Sequence, residues 1–355
     1  MKPIRRLLLL AALLAVSALV ACGDDDDDAG DDASPSATTN ATETLAPPDE
    51  MTFMAGFKPQ ANLPFVGAYV AQEQGFFAEE NLSVDIQHVV TPGDNFRLLG
   101  TGDIQFSTAD ATALLEKWTG DPVIEVVSLA LIGQTGQQGF AVLADSDIQT
   151  PADWAGKTAG YKGSDVTPDY LAILETNGLT RDDIEDVRVG FEPQILTEGA
   201  VDIFPVFIAN EPDTLERLGY ATRLFTAADY GAPTLGLSYV TTAEYARDNP
   251  EITERFTRAV LRGIEWADAN RDAAIEIVLQ YAPAEDPEHQ RYMLDTELAM
   301  AKAGDVYPEL GIGGQTLEQW QALHDFLITH NGLPQEIADT SAVFTDAFRA
   351  FSEAE

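Results

Sequence analysis

One cysteine, Cys22, stands in a chain of 355 residues, and that scarcity removes a set of functions. No intrachain disulfide can form, no cluster of thiolates can hold zinc or an iron–sulfur centre, and no C-x-x-C redox pair exists. Histidine is almost as rare: of His88, His289, His324 and His330, none is paired at metal-ligand spacing. Basic residues are few, 20 Lys and Arg against 59 Asp and Glu. The resulting net charge of −39 argues for solubility and against nucleic acid or an acidic membrane surface as a partner. H-E-x-x-H, G-x-S-x-G and G-x-x-x-x-G-K are all absent. The Gly311-Ile312-Gly313-Gly314 stretch lacks the preceding strand and the spacing of a dinucleotide loop, and reads as a turn. After residue 50 no apolar run is long enough to span a bilayer. These absences move the reading from catalysis toward binding, with no metal and no cofactor expected and no enzyme activity.

What is present begins with an export pattern. Lys2, Arg5 and Arg6 precede an apolar run over residues 7–21, broken only by Ser17 and too short to span a membrane. Residues 1–21 therefore read as a signal peptide. Leu19-Val20-Ala21-Cys22 resembles the lipobox of bacterial lipoproteins. That resemblance implies cleavage before Cys22, a diacylglycerol on its sulfur and an acylated new amino terminus. Several acyl chains together hold a protein firmly at a membrane. The implied location is extracytoplasmic, with the lipid at Cys22 as the only membrane attachment. Residues 22–50 carry Asp24 to Asp28, Asp31 and Asp32 among Ser, Thr, Ala and Pro. Too little apolar surface is there to offset the entropy of ordering, so the segment reads as a solvated acidic tether.

From residue 51, short apolar strands alternate with amphipathic helices. Strands are expected over 51–57, 83–90, 104–107 and 123–130, with helices over 65–74, 94–100 and 110–118. A second series has strands near 157–161, 186–189, 201–207 and 221–225, and Thr150-Pro151 and Thr167-Pro168 have the cap-then-proline form of helix starts. A strand over 235–241 leads into a helical tail whose apolar stripes are core packing. The alternation predicts an α/β fold with mainly parallel sheets.

In such sheets ligands settle at the carboxyl ends of strands. Four segments meet that condition: 57–65, 106–110, 161–165 and 207–212. They offer the rings of Phe57, Phe65, Tyr161 and Phe207, with Tyr69 one helical turn beyond the first segment, beside the amides and carboxylates of Asn62, Asp110, Asn210 and Glu211. Rings stack on Phe or Tyr, and a carboxylate or amide reads ring-edge N–H groups, so the mixture suits a flat, neutral or weakly basic heterocycle. An oxyanion prefers Arg, Lys or backbone N–H groups. Lys58 and Lys162 lie in these segments, so an anion stays open. Each residue has a structural alternative. Asn210 and Asp110 are equally helix caps, Glu211 suits the first turn of a helix that Pro212 begins, and Phe65 and Tyr69 stand at the helical spacing of a core face.

Three stretches carry a family resemblance. Residues 68–77 (AYVAQEQGFF) are similar to a Y-V-A-x-E-x-G-Y-F stretch, residues 99–106 (LGTGDIQF) to an L-x-x-G-x-x-D-F passage, and residues 198–203 (EGAVDI) followed by Asn210-Glu211-Pro212 to a G-x-V-D-A strand leading to N-E-P. Over residues 51–350 the chain resembles the extracytoplasmic solute-binding proteins of ABC importers. The branch is the one shared by binding proteins for the thiamine pyrimidine precursor and fungal pyrimidine synthases. The resemblance implies a two-lobed periplasmic-binding-protein fold of type II, closing by a hinge on its ligand. Lobe one would combine residues 51–143 with 240–355, and lobe two would be 144–239, with crossings at 139–145 and 235–241. In pyrimidine and riboflavin binders of this branch the Glu matching Glu211 contacts the heterocycle, and Asn62 matches the Asn of an early P-N element. Ala61 replaces the Pro of that element, and Lys58-Pro59 replaces an acidic-aromatic pair, which leaves riboflavin beside the pyrimidine precursor. The implied partners are a small heterocyclic ligand and an ABC permease with its ATPase, for a monomer. The alternatives are a sulfonate- or nitrate-type anion binder and a pyrimidine-synthase-type enzyme. Such enzymes carry a cysteine-rich iron-associated motif and consume an internal histidine with pyridoxal phosphate, whereas no cysteine follows Cys22 here.

Overall fold

The computed structural model describes residues 47–349. The predicted signal peptide, Cys22 and almost all of the predicted tether lie outside them. The tether was placed to residue 50, but Asp49 and Glu50 already belong to the first strand, where Asp49 pairs with Leu82.

Among the described residues, ten strands form a five-stranded sheet and a second array in which a three-stranded and a two-stranded sheet are linked by one bridge. The first contains β1 (Asp49–Ala55), β2 (Leu82–His88), β3 (Phe106–Asp110), β4 (Val126–Leu131) and, from far down the chain, β10 (Leu237–Thr242). Their order is β2-β1-β3-β10-β4. The second is built from β5 (Gln138–Leu143), β6 (Thr158–Tyr161), β7 (Glu185–Arg188), β8 (Phe204–Phe207) and β9 (Thr222–Phe225). Here β8-β5-β9 and β6-β7 are joined by a bridge between Ala159 and Ile203. The edge strand β4 is buried along its whole length because Gly313 and Phe344 bridge to it, which removes an open edge.

The sheets are more mixed than the alternation predicts. The β1–β2, β1–β3 and β6–β7 pairs are parallel, whereas β5 and β10 run antiparallel to both of their neighbours. The reason is topological: β5 and β10 are each the first strand after the chain passes from one sheet to the other, and each enters against the local direction. The passages themselves are residues 132–137 and 226–236. The first was expected at 139–145, but those residues start inside β5, which pairs with β8 and β9 in the second sheet. The 51–143 segment therefore leaves the first sheet after Leu131.

The two passages touch closely. Gly236 donates to the Gly133 carbonyl at 2.9 Å and Gly133 to the Leu237 carbonyl at 3.0 Å. A Cβ on Gly133 would lie 2.8 Å from the Gly236 Cα, so the approach requires glycine.

Seven helices frame the site: α1 (Leu63–Glu73), α2 (Ala111–Thr119), α3 (Pro168–Thr176), α4 (Glu211–Arg217), α5 (Pro250–Ala269), α6 (Pro287–Ala301) and α7 (Leu317–Thr329). The starts of α3, α6 and α7 use expected chemistry. Thr167 and Asp286 cap helices that open on proline, and Thr316 with Gln319 forms a capping box. Phe53, Tyr69, Phe256, Val260 and Ile264 belong to one buried cluster between the first sheet, α1 and α5. A Cβ on Gly263 would lie 2.0 Å from the Gly67 carbonyl, so α1 and α5 cross where neither bears a side chain. The tail expected wholly in the first lobe reaches both: after α7, a Cβ on Gly332 would meet Pro168 at 2.7 Å, and His330 lies 3.5 Å from Glu175. Among the described residues no helix is long and apolar enough to cross a membrane.

Candidate functional site

The loop between β1 and α1 forms the first wall. Phe57 lies just beyond β1, 40 % exposed, with its ring 6.5 Å from that of Phe191 in the loop after β7. Its carbonyl is held by His88 Nδ1 at 2.7 Å, and His88 Nε2 is 2.8 Å from the Tyr69 hydroxyl. Because a carbonyl only accepts, Nδ1 carries the hydrogen and Nε2 accepts from Tyr69. Burial lowers the His88 pKa, in keeping with this neutral ring. Tyr69 is wholly buried, stacked on Tyr281 with centroids 4.1 Å apart, and Phe65 is buried edge-on to His88. Both are core residues in this structure, and Tyr69 bears on Phe57 through His88.

Asn62 begins α1 but spends its side chain elsewhere. Its Oδ1 accepts from Gln60 Nε2 at 2.6 Å, and its Nδ2 donates to Glu297 Oε1 at 2.5 Å. Glu297, from α6, also accepts the Leu63 N–H at 2.6 Å, satisfying a free donor at the helix start. Gln137, in the first passage, donates to Glu297 as well, while its Oε1 accepts at 2.8 Å from the N–H of Leu237, the first residue of β10 directly after the second passage. One buried carboxyl thus joins the β1–α1 loop to both passages. Burial pushes it up to about 8, against the opposing effect of three donors.

The second wall comes from the strand ends of the other sheet. Glu211, the first residue of α4 and 6 % exposed, accepts from Lys162 Nζ at 2.5 Å and from Phe207 N at 2.8 Å. Its carboxylate therefore serves the loop before α4, and the helix-start role is not the bond it makes. Lys162, next to Tyr161 at the end of β6, also stands over the rings of Phe191 and Phe204, 5.3 and 4.8 Å from their centroids. Asn210 makes no capping bond. Its Oδ1 lies 3.0 Å from His289 Nε2, and His289 Nδ1 lies 2.6 Å from Asp213 Oδ2. His289 belongs to α6 and packs with the first sheet's helices, so it ties the first wall to the second. Replacing His289 with Ala removes two side-chain bonds between the walls and should speed ligand release about tenfold with an unchanged association rate. Stopped-flow release rates equal to wild type would refute that.

Asp110 does cap its helix: Oδ1 accepts from Thr112 N at 2.9 Å at the start of α2. Burial, then the charge of Asp169 on α3, pushes its carboxyl up to about 7, and burial pushes Asp169 up to about 6. Both values lie above the ordinary 3.8, so the folded chain holds protons that the unfolded chain has lost. Their contribution to stability is intact near pH 4 and is lost as pH rises toward 7. Asp110→Asn keeps the cap and removes the repulsion. Denaturant melts should show it about 1–2 kcal/mol more stable than wild type at pH 8 and equal to it at pH 4.

The structure thus places Phe57 in the first wall and Tyr161, Phe207, Asn210 and Glu211 in the second, sets Asp110 at the start of α2, and sinks Asn62, Phe65 and Tyr69 behind the first wall. Sequence reasoning missed Phe191, Asp169, His289, Gln290 and Glu297. Phe191 follows a strand that was predicted, and the strand-end rule applied to β7 finds it. Gln290 and Glu297 interrupt the buried face of α6, which otherwise carries Met293, Leu294, Leu298 and Ala301; polar residues in an apolar stripe are the signal. Size is not a guide: a cleft of about 1030 Å³, lined by Phe96, Ile124 and Tyr245 among others, lies at the opposite ends of β3 and β4.

The family described as "NMT1/THI5 like" matches residues 62–274, more than half of the chain, from Asn62 through the second wall and ending before α6. The chain belongs to the NMT1/THI5-like family. Within it, the chain is 28 % identical over 322 residues to the formylaminopyrimidine-binding protein of Halalkalibacterium halodurans, covering 90 % of this chain and 95 % of that protein. It is 27 % identical over 334 residues to the riboflavin-binding protein RibY of Chloroflexus aurantiacus, covering 89 % and 93 %. Among solved structures, the periplasmic aliphatic sulphonate-binding protein SsuA of Escherichia coli superimposes with a TM-score of 0.62 at 14 % identity, over 83 % of this chain and 92 % of that one. That likeness establishes the fold of this NMT1/THI5-like chain as the two-lobed α/β fold of periplasmic binding proteins.

Proposed function

We propose that this NMT1/THI5-like chain is an extracytoplasmic solute-binding protein, lipid-anchored at Cys22, that closes its two lobes on a small heteroaromatic ligand and delivers it to an ABC importer. The ligand is a hydroxymethylpyrimidine-type precursor or riboflavin. The observation that carries the ligand class is the balance of charge at the walls. Glu211 stands at the start of α4, Asp110 at the start of α2 beside Asp169, while Lys162 is paired with Glu211 and Lys58 with Glu285 at 2.7 Å. Carboxyl groups suit the N–H groups of a heterocycle, whereas an oxyanion would have to draw Lys162 from Glu211 or use Arg188, exposed at the end of β7 beside Tyr161. The names of the two relatives agree with that class, and both are binding proteins. The lack of any cysteine beyond Cys22 supports a non-catalytic role.

Calorimetry with hydroxymethylpyrimidine derivatives, thiamine, riboflavin, taurine and nitrate tests the ligand class. A response to a pyrimidine or to riboflavin is expected; a response to taurine or nitrate with none to any heterocycle overturns it. For the anchor, Cys22→Ser should shift the protein from the membrane fraction to the medium or periplasm, and an unchanged membrane fraction would count against lipid at Cys22.

A further inference from the structure

Among the described residues, Phe57, Phe191 and Tyr220 are the exposed Phe, Tyr and Trp side chains, and two of the three touch. Phe57 follows β1 in the first sheet, and Phe191, 61 % exposed, follows β7 in the second array. Their contact therefore runs from lobe to lobe, at strand ends where such folds take their ligands. Surface rings scattered singly are ordinary. Two that leave different lobes and meet are not.

The spacing says what the pair does. A flat ligand ring held between two others needs about 7 Å, twice the ~3.5 Å of a stacking contact. The centroids here are 6.5 Å apart with the rings tilted by 51°, so each phenyl already takes the other as its partner. The pair joins the lobes and is not a platform for a ligand ring. Both members are held from behind. His88 Nδ1 fixes the Phe57 carbonyl, and the Tyr69 hydroxyl fixes His88. Lys162 stands over the Phe191 ring at 5.3 Å and is itself held by Glu211 at 2.5 Å. We infer that Phe57 and Phe191 form an aromatic gate, whose rings part as the lobes open, meet as they close, and set the rate at which ligand leaves. The inference rests on the lobe closure proposed above and not on the ligand class, because the contact is made by the chain's own atoms.

Phe57→Ala, Phe191→Ala and the double variant separate a gate from two independent ligand contacts. The probe is whichever of hydroxymethylpyrimidine, riboflavin, taurine and nitrate the full chain binds by calorimetry, and stopped-flow displacement reads its release. Each single variant should release it about three- to tenfold faster, the strength of one aromatic pair, and the double variant no faster than either. Phe191→Trp, which keeps a ring, should stay within twofold of wild type. Denaturant melts of the same four-protein cycle without added ligand should show the two rings coupled by a similar factor in the unfolding constant. Additive effects on release make the rings separate ligand contacts and overturn the gate, as does release within twofold of wild type in both single variants; in either case the heterocycle reading stands. A wild-type chain that binds none of the probes overturns that reading instead, and the melts then decide the gate: coupled rings support it and additive losses overturn it.

Discussion

Glu211→Ala should lower both stability and ligand affinity. The substitution leaves the Lys162 ammonium without its carboxylate and the Phe207 N–H without its acceptor. Breaking a fully buried pair by removing one partner costs about 3–5 kcal/mol. The Glu211 and Lys162 side chains are 8 % and 21 % exposed, and water that reaches the lysine brings the expected loss to about 2–3 kcal/mol. If the carboxylate also reads the ring edge, affinity falls by a further ten- to hundredfold, the range of a charge-assisted hydrogen bond. Urea melts and calorimetry on one preparation measure the two losses. Wild-type affinity with reduced stability would make Glu211 a scaffold for the loop before α4. Lys162→Met separates the ligand classes: a neutral heterocycle should lose less than about threefold, whereas an oxyanion losing its counter-charge should lose more than tenfold.

Glu297→Ala should be the most destabilising single change at the site, by about 3–5 kcal/mol. It strands three buried donors at once, from Asn62, Leu63 and Gln137. The same carboxyl sets a pH signature. Its ordinary value is 4.5 and burial takes it to about 8 in the folded chain. Between those values the folded state holds a proton that the unfolded state has released. Stability is therefore fully present below about pH 4.5 and declines as pH rises to about 8. Wild-type denaturant midpoints at pH 5, 6.5 and 8 should fall along that series, and those of Glu297→Ala should fall less. The remaining slope belongs to Asp110 and Asp169. Parallel slopes in the two proteins would remove Glu297 as a source.

How far the site was legible in the sequence follows from how locally each residue is placed. Strand ends are local, so Phe57, Asp110, Tyr161, Phe207, Asn210 and Glu211 could be found from alternation and turn chemistry alone. Phe65 and Tyr69 were ambiguous because helical spacing does not say which face of α1 meets the core. That was decided by α5, whose Gly263 brings it against Gly67. Glu297 and Gln290 were out of reach for a different reason. They contact Asn62 and Ala61 across 235 and 229 residues of chain, and only the return of α6 over the β1–α1 loop brings them there. The position of the first passage was missed because β5 reads as a strand wherever it pairs. Its membership in the second sheet is a property of β8 and β9, not of its own residues.

The glycine contact between the passages limits how the lobes can move. Two strands bonded at Gly133 and Gly236, with Gln137 clasping Leu237, behave as a single tape and not as two independent strings. A tape bends readily across its flat face and resists shear in its own plane, because shear would have to break Gly236 N–H to Gly133 O. The lobes of this protein should then part along one arc, like the covers of a book. Anything that reads the protein from outside would meet one open and one shut outline, with few shapes between them.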